Sequence, residues 1–306
     1  MCRMTRDELL ERSRELGFAK VCLTEPRALD IPKEGLIGDP ASVLPDVRTL
    51  IFLLMPYRIG LTKETGEGVI SSYYPASHSA YLAAKRLAGE IKEAGFDAVS
   101  NVQLPLKPWL LGLGLGKMGR NSLVIVKGLG SAFHVQCILT NAPWEPTHYW
   151  SGRQKGLYEG CEHCMRCVSA CPAGAIRESC MIDQEVCIRA VSEKDPVPEG
   201  FEKKLGARLL GCDVCQSACP ANAALLNGSA LSVSLKELLC GQLGTLPDVI
   251  GTNYARKRRL RKKAALLAAN LHRTDLTQEL ENMAQSPDPG EAGAALRALK
   301  RLKEET

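Results

Sequence analysis

At 306 residues the chain is long enough for one large domain or two ordinary ones, and it can bury a core without disulfides. Its net charge of +5 is modest, but Arg256 to Lys263 packs seven basic residues into eight positions, which concentrates positive field near the C-terminus. No window approaches the roughly 18 uninterrupted apolar residues of a membrane span. The stretch Met1 to Leu10 is charged and lacks an apolar signal segment, so the expected compartment is the reducing cytoplasm.

Thr5-Arg6-Asp7-Glu8 has capping-box spacing and Gly17 stands where a helix stops, which predicts a helix over 6–16. A strand follows at Ala19 to Leu23. Leu50 to Met55 is a continuous apolar run between turn formers, as in a strand covered on both faces. Ser77 is a cap for a helix reaching about Ala94 before Gly95. Lys107 to Leu113 reads as a helix. Ser122 to Val126, the turn Gly128-Leu129-Gly130 and Ala132 to Leu139 read as a hairpin. Residues 1–150 are therefore expected to form one α/β domain, residues 151–235 a cysteine-rich domain in which 192–200 is an exposed loop, and residues 236–306 a helical tail. The tail pattern is helices at about Lys257 to Leu271 and Leu276 to Gln285, then a third through about Leu302, in the rhythm of α-repeats.

Nine of the thirteen cysteines fall from Cys161 to Cys219, and in a reducing compartment dense cysteine points to metal rather than disulfide. Cys161, Cys164, Cys167 and Cys171-Pro172 reproduce the bacterial ferredoxin spacing, in which three close thiolates grip one cubane and the fourth turns to a neighbour. Cys212, Cys215 and Cys219-Pro220 repeat it with one ligand fewer. Seven cysteines are then in place where two [4Fe–4S] clusters need eight. Cys180 and Cys187 are the candidates for the eighth. Cys187 is preferred, because Cys180 follows the first run closely and Ile182-Asp183 can carry the chain back. The crossing rule assigns Cys161, Cys164, Cys167 and Cys219 to one cluster, and Cys171, Cys187, Cys212 and Cys215 to the other. Structural zinc is the alternative, but it has no use for a third cysteine at the next three-residue step or for Cys-Pro closing both runs. Cys2, Cys22, Cys137 and Cys240 stand alone and are given no role. Trp109, Trp144 and Trp150 read as packing residues, and His134, His148 and His163 lack ligand spacing.

Gly114-x-Gly116-x-x-Gly119 matches the dinucleotide fingerprint, but its flanks are a helix before and a strand after, the reverse of what that mechanism needs. Close backbone approach to a large ligand is the better use of these glycines. The plain alternative is a glycine-rich turn with no ligand.

With these parts in order, the chain resembles the epoxyqueuosine reductase family, cobalamin-dependent iron-sulfur enzymes of tRNA queuosine synthesis. The matching stretches are Gly114 to Ile125, Gly130-Ser131 with the strand up to Thr140, Gly160 to Ile176, and Gly211 to Pro220. The resemblance implies a nitroreductase-like α/β domain that binds base-off cobalamin, a ferredoxin-like two-cluster domain and a HEAT-like tail that helps to hold tRNA. It supports Cys187 as the eighth ligand and lays Gly114, Gly116, Gly119, Arg120, Asn121 and Ser122 against the corrin. Single electrons would pass from an external donor of flavodoxin or ferredoxin type through both clusters to cobalt. The implied tRNA contacts are Arg256, Lys257, Arg258, Arg259, Arg261, Lys262 and Lys263, and the expected state is a monomer. One position departs: where the family carries an acid thought to deliver a proton, this chain has Ser100, and a serine hydroxyl is far too weak an acid to replace it. Asp97, three residues away, would point elsewhere on a strand. Tyr73, Tyr74 and His78 match the family only loosely. The substrate could therefore differ from epoxyqueuosine. The reading from another class is a two-cluster electron carrier that docks a partner enzyme without cobalamin. Corrinoid dehalogenation ranks last, because enzymes of that kind usually carry an export signal.

Overall fold

The structure is a computed structural model that describes residues 4–30, 34–61, 66–152, 156–177, 181–198 and 200–304. The chain gathers into two compact units, Met1–Tyr57 with Ala76–His163, and Arg58–Pro75 with Cys164–Thr306.

The first unit is built on a four-stranded sheet in which Lys20–Thr24, Thr49–Pro56, Phe133–Thr140 and Ala98–Ser100 lie side by side. Every pairing is antiparallel, with Phe52 opposite Cys137 and Ile51 opposite Ile138. Side chains alternate across a strand, so Leu50, Phe52 and Leu54 enter one core with Trp109 and Leu110. Ile51 and Leu53 enter the other with Leu9, Ala84, Leu87 and Ile91. Both faces are covered, which is why the apolar run is continuous and not alternating. Each fully buried Leu or Ile contributes roughly 1.5–3 kcal/mol. The helix Arg6–Glu15 begins with the expected capping box of Thr5 and Glu8.

Two local expectations are corrected. Ser77 does not cap the long helix, which runs Tyr73–Glu93. The Ser71 hydroxyl instead accepts the Tyr73 N–H at 3.2 Å, and Pro75 is tolerated in the first turn, where its missing N–H would have no partner anyway. Nor do the strands flanking Gly128-Leu129-Gly130 form a hairpin. Val124–Ile125 pairs with Lys117–Met118, Val126 and Gly130 share a single bridge, and Phe133–Thr140 already has a neighbour on each side in the main sheet.

The second unit combines short strands with a helical layer. Gly68–Ile70 pairs antiparallel with Leu231–Val233 and parallel with Arg208–Leu210, and Gly60–Leu61 pairs parallel with Gly228–Ser229. Helices Lys257–Asn270, Thr277–Ala284 and Pro289–Glu304 pack as the tail pattern predicts. Their core joins Leu260, Leu267, Leu280 and Ala298 to Leu205, Leu209 and Leu238.

Candidate iron-sulfur and cofactor site

The two cysteine runs repeat in backbone as well as in spacing. Each places a residue of one conformation before a short helix, Met165 at φ −109°, ψ 10° before Arg166–Ala170 and Asp213 at φ −108°, ψ 9° before Val214–Ser217. Each ends on an extended cysteine, Cys171 at φ −69°, ψ 111° and Cys219 at φ −84°, ψ 122°. The Pro after each then starts a new segment, since a residue before Pro is held extended. Cys161 ends the turn Glu159–Cys161 and is buried.

None of the eight proposed ligand cysteines is in a disulfide. The Ala175 N–H donates to Cys171 Sγ at 3.3 Å. Burial pushes the Cys212 thiol pKa up, against the Val214 N–H and Arg208, and negative charge at Asp213 and Cys187 adds to the rise. Cys187, extended at φ −64°, ψ 118° ahead of the helix Ile188–Val191, is thus an electrostatic neighbour of Cys212. Cys180, the other candidate, and Cys2 lie outside the described residues. Among the described residues no three of His, Cys, Asp or Glu are grouped as ligands of one metal ion. A cubane, whose four irons take one thiolate each, needs no such convergence on a single point. The donor set fits two clusters. A cavity of about 370 Å³ opens beside the second run, lined by Ser71, Arg208, Gly211, Cys212, Asp213 and Ser217 among others. Burial raises the Asp213 carboxyl pKa, while hydrogen bonds from Ser71 and Gln216 oppose it.

The glycine run lies between the helix Leu106–Gly112 and the strand Val124–Ile125, the reversed order that excludes dinucleotide geometry. Its glycines have neighbours within the chain. A Cβ on Gly116 would meet Ile125 O at 2.6 Å, and one on Gly119 would meet Asn121 Oδ1 and Ile125 Cδ1 at 2.9 Å. Gly114 has φ +67° and Ser122 φ +58°. Arg120 Nη2 donates to the carbonyls of Cys161 and Glu162, at 2.9 and 3.1 Å. Asn121 is 3% exposed. Its Oδ1 accepts the Leu123 N–H, while its Nδ2 has no hydrogen-bond partner. A buried donor left open is costly, and it fits a ligand rich in carbonyl acceptors such as the carboxamides of cobalamin.

Ser100 ends the edge strand opposite Ile138, half-buried. Asp97 lies outside that strand, its carboxylate accepting from Asn141 Nδ2 at 3.1 Å. The Tyr74 hydroxyl donates to Glu193 at 2.6 Å, Arg189 stacks over Tyr73, and His78 stacks on Tyr81. Trp109 packs between Phe52 and Trp150. Cys22 and Cys137 are buried in the core, and burial pushes the Cys22 thiol up to about 12.

The basic stretch is corrected. Lys263 is 2% exposed, its Nζ donating to Ser192 O, so it cannot touch a polyanion. Arg261 is paired with Glu291, Lys262 with Asp195 and Arg258 with Asp288. Arg259 donates to Tyr254 O. Helical spacing turns half of the run into the fold, leaving Arg256, Lys257 and Arg258 as its exposed residues. Sequence reasoning missed the buried Ser192, the half-buried Glu193 and the burial of Lys263. They stand in what reads as an exposed loop and a charge run, and nothing in their spacing marks them.

Residues 160–222 match a family described as a 4Fe-4S double cluster binding domain. An epoxyqueuosine reductase of Bacillus cereus is 33% identical over 110 residues, 36% of this chain and 27% of that protein. That of Gloeobacter violaceus is 27% identical over 250 residues, 71% of this chain and 76% of that protein. The matched region thus spans about a quarter of the first relative and three quarters of the second. A crystal structure of epoxyqueuosine reductase with an epoxyqueuosine-modified tRNA stem loop has the same fold, at TM-score 0.77 and 20% identity over 97% of this chain and 90% of that one. In sequence the chain is thus similar to epoxyqueuosine reductases, it matches the double-cluster family over residues 160–222, and it shares the fold of a solved epoxyqueuosine reductase.

Proposed function

We propose that this chain is an iron-sulfur oxidoreductase that delivers single electrons through two [4Fe–4S] clusters to base-off cobalamin. The reaction would be a reductive deoxygenation in tRNA queuosine synthesis or a related reduction. The observation that carries the reading is the repeated backbone of the two cysteine runs, with Cys187 as an electrostatic neighbour of Cys212. Cys161, Cys164, Cys167 and Cys219 would hold one cluster, and Cys171, Cys187, Cys212 and Cys215 the other.

When bound, cobalamin would supply the strongly reducing organometallic chemistry that protein side chains lack. Its cradle would be Gly114, Gly116, Gly119, Arg120, Asn121 and Ser122. Asn121 Nδ2 is the open donor for a corrin carboxamide. Arg120 steadies the backbone at Cys161 through its carbonyl contacts, which fixes the entry to the first cysteine run. Ser100 cannot act as a proton donor near neutral pH, so the proton would come from another group or the substrate would differ from epoxyqueuosine. Arg256, Lys257 and Arg258 would contact tRNA phosphates, with affinity that weakens as salt rises. The donor would be an external flavodoxin or ferredoxin, and the working state a monomer.

One observation favours the second reading, a two-cluster carrier without cobalamin: the missing side chains of Gly116 and Gly119 make room for the chain itself. Loading the reconstituted protein with cobalamin, desalting it and recording its EPR separates the two. Retained base-off cobalt(II), diminished in Asn121→Leu, is the expected result. A desalted protein free of cobalt would support the carrier.

A further inference from the structure

Cys187 stands outside both cysteine runs, so something other than run geometry must hold it beside Cys212. It precedes the helix Ile188–Val191, which ends at the fully buried Ser192. Every polar group of Ser192 is engaged. Its N–H donates to Ile188 O at 2.7 Å and its hydroxyl donates to Arg189 O at 2.8 Å. The same hydroxyl accepts the Gly211 N–H at 2.8 Å, in a buried bond. Its carbonyl accepts Lys263 Nζ, from the helix Lys257–Asn270.

Gly211 directly precedes Cys212 and is closely fitted, with φ +82° and no room for a Cβ beside Ser71 and Tyr74. One serine therefore ties the segment that carries Cys187 to the segment that carries Cys212, and one lysine pins that serine from the helical tail. Lys263 is depressed to about 7, by burial first and Arg259 second, but an amine donates a hydrogen bond in either protonation state. Glu193, the next residue, is anchored separately by the Tyr74 hydroxyl and Arg189.

We infer that Ser192 and Lys263 are positioning residues for the second cluster, holding Cys187 and Cys212 at the separation that lets both bind one cubane. The inference rests on the ligand assignment proposed above. Supports of this kind govern how well ligands are presented to a metal centre.

The test uses the full chain, anaerobically reconstituted with iron and sulfide, in Ser192→Ala, Ser192→Thr, Lys263→Met and Cys187→Ala forms. Iron per chain and EPR of the reduced protein are read for each, with amide exchange at Gly211 before reconstitution. In Ser192→Ala the Gly211 amide should exchange about tenfold faster, the loss of roughly one buried hydrogen bond. Iron should fall from about eight towards about four, with one cluster's EPR signal retained. Ser192→Thr, which keeps the hydroxyl, should restore both, and Lys263→Met should follow Ser192→Ala. The inference is overturned if Ser192→Ala keeps both clusters or loses them together. Cys187→Ala identifies which idea has failed: if it keeps eight irons the ligand assignment is wrong, and if it loses iron while Ser192→Ala does not, only the positioning role is wrong.

Discussion

At the scale of single residues, Gly211 shows how tightly the second cysteine run is fitted. A methyl there would stand 2.6 Å from Ser71 Cβ and 2.8 Å from Tyr74 Cε2, and φ is already +82°. Gly211→Ala should cost about 1–3 kcal/mol, read as a lower urea midpoint; an unchanged midpoint would mean the loop yields freely. Lys263 carries the pH prediction. Burial holds its pKa near 7 in the fold, below the ordinary 10.5. Between those values the unfolded chain binds a proton that the folded chain does not, so stability rises with pH there, by at most about 1.4 kcal/mol per unit. Below about pH 7 both states are charged and the slope vanishes. Lys263→Met should remove the rise between pH 7 and 9, and an identical slope in both proteins would refute it. At this scale the repeat of the two cysteine runs was legible, because their shared spacing returns as a shared backbone conformation. The knot of Ser192, Gly211 and Lys263 was not, because hydrogen bonds between residues as far apart as Ser192 and Lys263 leave no periodic trace.

Among the elements, local signals predicted what local forces decide. The capping box of Thr5 and Glu8 starts the first helix as expected, and the apolar run at Leu50 became the buried strand Thr49–Pro56. The errors lie where tertiary pairing overrides local pattern. The apparent hairpin around Gly128 gave way to a better partner for Phe133–Thr140, the strand Thr49–Pro56 with its apolar run Leu50 to Met55. The helical tail is joined by a nearly buried pair, Arg261 with Glu291, which are 19% and 5% exposed. Glu291 also accepts the Ser286 hydroxyl at 2.8 Å. Glu291→Ala strands the guanidinium and should destabilise the helical layer by about 3 kcal/mol. A urea midpoint within error of the parent would show the pair to be solvent-screened.

For the molecule as a whole, the α/β sheet, the cluster domain and the helical tail were each readable, because each has its own signature: continuous apolar runs, metal spacing and a 3.6-residue period. What was not readable is that residues 58–75 join the second compact unit. They do so through the short strands Gly60–Leu61 and Gly68–Ile70, whose partners lie more than a hundred residues away. Pairing at such separation depends on the finished fold and not on neighbours in sequence. The basic run shows the same limit, since charge counted along the chain does not say which cations the helix turns inward.

The central claim is that eight cysteines hold two cubanes, and the most direct test is the iron and acid-labile sulfide content of the anaerobically reconstituted chain, with EPR of the reduced form. About eight irons and eight sulfides per chain, with signals from two clusters, is the predicted result. About four irons with a single signal, or zinc retained in place of iron, would contradict it.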